Sequence, residues 1–170
     1  SRGFVIQHHQ ELLDDWGYAL KNMSRRAIGL RSLYPDESEE NVLRRVRSYC
    51  QNWKAGVGSA PVVLGGHLGC HLLGLGRANM RQMRLYADKP VEDILSALDL
   101  AREQSQFPRV LLMPEPGRKS VFRCAVPVDG VPVCDVLQCY FDVRFSYARG
   151  MEQADYIYEH ILQPHFERGQ

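Results

Sequence analysis

The sequence predicts one α/β (α+β) domain in which a mixed sheet is flanked by helices. Three observations predict it. Stretches of helical period, such as the one carrying Val42, Val46, Tyr49, Cys50 and Trp53, alternate with short apolar runs such as Val62-Val63-Leu64 and Val110-Leu111-Leu112-Met113. Asp129-Gly130, set between Val121 to Val128 and Val131 to Cys134, is a dipeptide of tight hairpins. The composition, 45% apolar and 24% charged over 170 residues, gives enough material for one core without disulfides or metal, and it excludes disorder, collagen-like repeats and a coiled coil.

Taken in order, Phe4, Val5 and Ile6 make a strand-like start. Leu12, Leu13, Trp16, Ala19 and Leu20 then recur at helical spacing. Lys21 to Arg31 has no clean period and reads as a loop or irregular strand. Pro35-Asp36 opens a second helix, with Asp36 and Glu39 spaced as a capping box, and glycines 56 and 58 close it. Pro61 to Leu64 is a strand stopped by Gly65-Gly66, and a helix using Leu68, His71, Leu72 and Leu75 comes next. Met83, Leu85 and Ala87 alternate with Arg84 and Tyr86, the period of a half-buried strand. Pro90 suits the first turn of a third amphipathic helix running through Val91, Ile94, Leu95, Leu98 and Ala101. Val110 to Met113 reads as a buried strand and Pro114 to Ser120 as turns. The hairpin about Asp129-Gly130 carries Pro127 and Pro132 and so belongs near a sheet edge. Two helices close the chain, Asp135 to about Val143 and Glu152 to about Gln163, the latter stopped by Pro164.

With 21 basic and 20 acidic side chains the chain is nearly neutral. Residues 1 to 89 hold 13 Lys and Arg against 8 Asp and Glu, and residues 90 to 170 hold 8 against 12. An acidic partner suits the first half, but the surplus is too small for a self-sufficient DNA-binding domain. Five cysteines without a C-x-x-C pair fit reduced thiols in a cytoplasmic protein. The longest apolar stretches are interrupted by Gly65, Gly66, Gly69, Gly74 and Gly76, so no membrane span is expected. The start Ser1-Arg2-Gly3-Phe4-Val5 has neither Met nor a leader, which suggests a piece of something longer.

Four groups of residues invite a chemical reading. His67, Cys70 and His71 lie on neighbouring helical turns and supply half of a zinc site, and the same spacing suits one packed and one exposed histidine. Gly65-Gly66 between strand and helix lets a phosphate approach backbone amides, as in nucleotidyltransferases. Those enzymes carry a carboxylate pair on the next strand, where this chain has Asp88 alone, so the outline is that of a degenerate nucleotidyltransferase-like fold without catalysis or a cofactor. Arg77, Arg81, Arg84 and Lys89 place four positive charges within 13 residues, fit for phosphate contact or for a solvated strand edge. Lys21, Arg25, Arg26 and Arg31 form a second basic stretch with the same two readings.

From Val62 onward the order of features resembles the C-terminal domain of AbiEi-type antitoxins, bacterial winged-helix transcriptional regulators of type IV toxin–antitoxin systems. The residues that carry the resemblance are Asp129-Gly130-Val131-Pro132-Val133 with Gln138-Cys139-Tyr140-Phe141-Asp142-Val143, then Ala148-Arg149-Gly150-Met151-Glu152-Gln153-Ala154. Val62 to Gly66 and Met83 to Asp88 are similar to the family's upstream strands. Arg2 to Val5 and Leu12 to Trp16 look like a last wing strand and linking helix, which implies that residues 1–20 end a truncated winged-helix region and residues 21–170 form the AbiEi-like domain. The resemblance implies a non-enzymatic regulator whose full-length form binds operator DNA and represses its own operon, forms a homodimer or supports antitoxin action, and need not touch its toxin. The residues by themselves leave a divergent nucleotidyltransferase built on Gly65, Gly66 and Asp88, or a dimerisation module, as alternatives. Asp142 and Arg149 are expected to pair across the loop between the last two helices, fixing their angle.

Overall fold

The structure, a computed structural model, describes residues 8–23, 27–34, 37–77, 82–113, 119–146 and 149–168, with the side chains of residues 21–23 and 168 left aside. Its elements in chain order are α1 (His9–Met23), β1 (Ile28–Ser32), α2 (Glu39–Tyr49), β2 (Val62–Gly65), α3 (Gly66–Leu72), β3 (Met83–Ala87), α4 (Val91–Ala97), β4 (Leu100–Arg102), β5 (Val110–Met113), α5 (Lys119–Arg123), β6 (Val126–Val128), β7 (Val131–Val133), α6 (Val136–Arg144) and α7 (Gly150–Ile157). A π-helical turn (Tyr158–Leu162) then leads into α8 (Gln163–Arg168).

The seven strands form one mixed sheet in the order β4-β1-β5-β3-β2-β7-β6. β3 runs parallel to β5 and β2 parallel to β7, while the other neighbours are antiparallel. The register of β2 with β3 sets Val63 beside Tyr86 and Gly65 beside Arg84. Side chains alternate across a strand, so the sheet feeds two cores. Leu64, Leu85 and Leu112 join Val42 and Val46 of α2 and Ile94 of α4 on one face. Val63, Tyr86 and Met113 join residues of α1, α5, α6 and α7 on the other.

Local chemistry explains most boundaries. Asp129 and Gly130 have φ of 47° and 78°, the pair of left-handed residues that a two-residue hairpin with native twist requires. Arg47 Nε donates to the Asp129 carbonyl at 2.7 Å and ties that turn to α2. Asp135 caps α6 by accepting the Gln138 amide at 2.9 Å.

Several expectations are corrected. α1 runs from His9 to Met23 and the regular strand β1 comes after it, where the sequence predicts a loop or irregular strand over Lys21 to Arg31. α2 is preceded by Ser38 at its N-cap, and Asp36 lies outside the described residues. It ends at Tyr49, because Trp53 turns toward the opposite core. α4 stops at Ala97, since Arg45 Nε takes the Leu98 carbonyl at 2.7 Å and Asp99 adopts φ 50°, turning the chain into β4. Lys119 to Arg123 is helical, so only Val126 to Val128 forms the first arm of the hairpin. Pro164 does not end the last helix. The π turn before it bonds the Gln163 amide to the Tyr158 carbonyl, and this wider turn accommodates a ring that has no N–H to give. Phe4 to Ile6 and Arg2 to Val5 lie outside the described residues.

Candidate functional site

Gly65-Gly66 ends β2 and opens α3, as the sequence predicts, and over it sits the carboxylate of Asp142 from α6. Asp142 is 1% exposed. Its Oδ2 accepts the Gly66 amide at 2.9 Å. Its Oδ1 accepts Arg84 Nη1 at 3.2 Å, Gln138 Nε2 at 2.9 Å and the Tyr86 hydroxyl. Gln138 Nε2 also donates to the Tyr86 hydroxyl at 3.0 Å. Gln138 and Asp142 are four apart on α6 and so share a face. Arg84 and Tyr86 are two apart on β3 and do the same.

The glycines are what make this approach feasible. A side chain at Gly65 would collide with the Asp142 carboxylate and press on Cys134 Sγ at 3.1 Å. Gly66 has φ 70°, a left-handed conformation costly for any side chain, and it aims its N–H at the carboxylate.

Burial governs the electrostatics. Desolvation opposes a charge on Arg84, yet Asp142 beside it more than offsets this and holds the guanidinium firmly protonated. Burial, then the Asp142 charge, pushes the Tyr86 phenol well above its ordinary range, so it stays a donor. His67, 3% exposed, has its pKa lowered first by burial and then by Arg84, with Asp142 opposing. Its Nε2 lies 2.8 Å from Ser146 Oγ. Its Nδ1 and Arg84 Nε find no hydrogen-bond partner among the described residues.

Chemically, this carboxylate is occupied. Four donors from α3, β3 and α6 converge on it, so it cannot act as a base or a cation ligand without giving them up. The arrangement clamps α6 against the glycine turn and β3.

The sequence-derived sites map onto this geometry unevenly. Arg84, expected as a phosphate contact, is buried and paired with Asp142, because α6 covers the face of β3 that the alternation assigned to solvent. The expected Asp142–Arg149 pair is not formed. Arg149 reaches Glu152 three residues on, with two nitrogen–oxygen distances of 2.7 Å, at an exposed position. Asp88 is exposed at the end of β3 and does not face the glycine turn. His67 and Cys70 are buried and His71 is exposed, so the three do not converge, and Cys70 Sγ points at the Cys139 carbonyl.

Arg77 and Lys89 are exposed, as is Arg31 on β1. Arg81, Arg25 and Arg26 lie outside the described residues, and of Lys21 only the backbone is described, within α1. Sequence reasoning misses Tyr86 and Ser146 as members of the site. Two signals point toward it: two polar residues on the strand face opposite a glycine, and an aspartate embedded between Phe141 and Val143.

Comparisons of the chain with protein-family models, with curated proteins and with solved structures return no match. Among the described residues no helix is long and apolar enough to cross a membrane.

Proposed function

We propose that this chain is a regulatory domain without catalytic activity, belonging to a bacterial winged-helix transcriptional regulator of AbiEi-antitoxin type that binds DNA and represses its own operon in the cytoplasm. One observation carries the non-catalytic reading. At the glycine turn, where a nucleotidyltransferase would face its phosphate and metal with two carboxylates, β3 presents Arg84 and Tyr86, and the one acidic group there among the described residues is held by four donors. A cation and a neutral phenol cannot grip magnesium. The five free thiols, four of them buried, are consistent with a reducing compartment. Arg77 and Lys89 remain the phosphate-contact candidates; Arg84, buried against Asp142, is no longer among them.

The experiment pairs two measurements on the intact protein. A reporter driven by its own promoter is repressed when the protein is present, and labelled nucleoside triphosphates with magnesium leave no label on RNA or protein. Label transfer that Arg84→Ala or Tyr86→Phe alters would establish an enzyme instead. An unrepressed promoter would remove the regulator reading.

A further inference from the structure

We propose that Arg31 and Arg109 form a clamp for a phosphate group, on the part of the sheet that the layer of α1, α5, α6 and α7 leaves open; the inference goes beyond the regulator reading and does not rest on it. The two halves of that face differ. Val63 of β2 and Tyr86 of β3 are buried under the helices, whereas Gly29 and Arg31 of β1, Ala101 of β4 and Leu111 of β5 all keep contact with solvent. On the reverse side of those outer strands Leu30, Leu100, Val110 and Leu112 are buried with α2 and α4. Neighbours along a strand point to opposite faces, so Arg31, next to Leu30, and Arg109, next to Val110, both turn to the open side.

The register sets the two arginines opposite each other. Leu30 pairs with Val110 between antiparallel β1 and β5, and one step further brings Arg31 to Arg109, whose carbonyl accepts the Met83 amide at 2.9 Å. Side chains so placed are rooted about 5 Å apart, and like charges there repel. The chain reaches this arrangement by a crossover. β4 and β5 both run antiparallel to β1, so the connection between them passes over β1, and it does so at Gly29, where a Cβ would lie 3.2 Å from the Pro108 ring. Gln82 Nε2 holds the Pro108 carbonyl at 3.0 Å, which fixes where Arg109 leaves the crossover.

The local balance of charge is positive. Both arginines are exposed, and among the described residues neither has an ion-pair partner; Arg31 Nη1 reaches only the Ser32 carbonyl at 3.3 Å. Glu103, half-buried opposite Gly29, is the one carboxylate beside them on this face among the described residues, a single negative charge against two positive ones. The other acids of this edge are engaged elsewhere: Asp99 lies 3.8 Å from Arg45 and Glu92 lies 2.7 Å from Arg102. Gln104 to Pro108 carry no charge. A carboxylate has two oxygens, which one guanidinium fork satisfies, whereas a tetrahedral phosphate can receive two forks at once.

NMR spectra of the arginine Nε–H groups, recorded as inorganic phosphate, ATP, a DNA duplex or acetate is added at matched ionic strength, test the clamp. The Arg31 and Arg109 resonances move together with phosphate and stay in place with acetate. Arg31→Gln and Arg109→Gln each weaken the phosphate response about tenfold, the share of one charge-assisted contact. In chloride each variant melts no lower than the unaltered chain, because a like-charged neighbour has been removed, and phosphate raises the melting temperature of the unaltered chain alone. Resonances that ignore phosphate, acetate acting as strongly as phosphate, or a full response in Arg109→Gln would overturn the proposal. A tighter response to the duplex than to ATP marks a nucleic-acid backbone as the source of the phosphate, and the reverse marks a nucleotide; either supports the clamp. Promoter repression by the intact protein with both resonances unmoved removes the clamp alone, and a working clamp beside an unrepressed promoter removes the regulator reading alone.

Discussion

On the face of the sheet covered by α2 and α4, Leu64, Leu85 and Leu112 meet Val42, Val46 and Ile94 in a cluster that contains no charged group. On the opposite face Arg84, Tyr86 and Asp142 are buried too, yet their contacts are directional. The two faces therefore respond differently to change. An apolar layer loses stability in proportion to the volume removed. A buried ion pair contributes little net stability when intact, because desolvation offsets attraction, and costs a great deal when one partner is removed. The first face sets how stable the domain is; the second fixes where α6 sits on the glycine turn.

The largest effect expected is from Arg84→Met, which leaves the Asp142 charge buried without its cation and costs about 3–5 kcal/mol in urea denaturation. The double variant Arg84→Met with Asp142→Asn regains most of that loss. Asparagine keeps its one carbonyl oxygen as acceptor for the Gly66 amide, offers its NH2 group to the Tyr86 hydroxyl oxygen, which then accepts, and carries no charge. A double variant as unstable as the single would mean that the pair is not the source of the coupling.

Gly65→Ala comes next. Its methyl group meets the Asp142 carboxylate and Cys134 Sγ, and overpacking of this kind costs about 1–3 kcal/mol. Combined with Asp142→Ser, which shortens the colliding side chain, the penalty of the alanine shrinks. On the apolar face, Ile94→Val removes one methyl from a fully buried site and costs about 1 kcal/mol, a shift of roughly 2–4 °C in melting temperature. A loss at Ile94 as large as that at Arg84 would erase the distinction between the faces.

The smallest difference at neutral pH concerns His67. Burial and Arg84 hold its pKa below the ordinary histidine value, so the unfolded chain takes up this proton first as pH falls. Its contribution is complete above about 6.5 and declines below it. The denaturation midpoint of the unaltered chain should therefore drop more steeply between about pH 7 and 5 than that of His67→Gln, and parallel profiles would show that His67 titrates as it does in the unfolded state.

Much of this architecture is legible in local pattern. Val62 to Leu64, Val110 to Met113 and the turn at Asp129-Gly130 fall where the sequence places them, because apolar runs and left-handed dipeptides act within a few residues. β4 is hidden within a helical period, since the Leu98 carbonyl that ends the helix is captured by Arg45, 53 residues away. Arg84 has the pattern of a surface cation because Met83, Leu85 and Ala87 alternate with it, and alternation cannot say whether a second layer covers the polar side.

The sequence by itself determined the class of fold, the glycine pair at the strand end and the want of a second carboxylate near Asp88, all of which depend on residue type and short spacing. Tertiary structure alone decided that Asp142 belongs to Arg84 rather than Arg149. The two are 58 residues apart in the chain, and a buried charge takes whatever counter-charge the packing of α6 on β3 brings within reach.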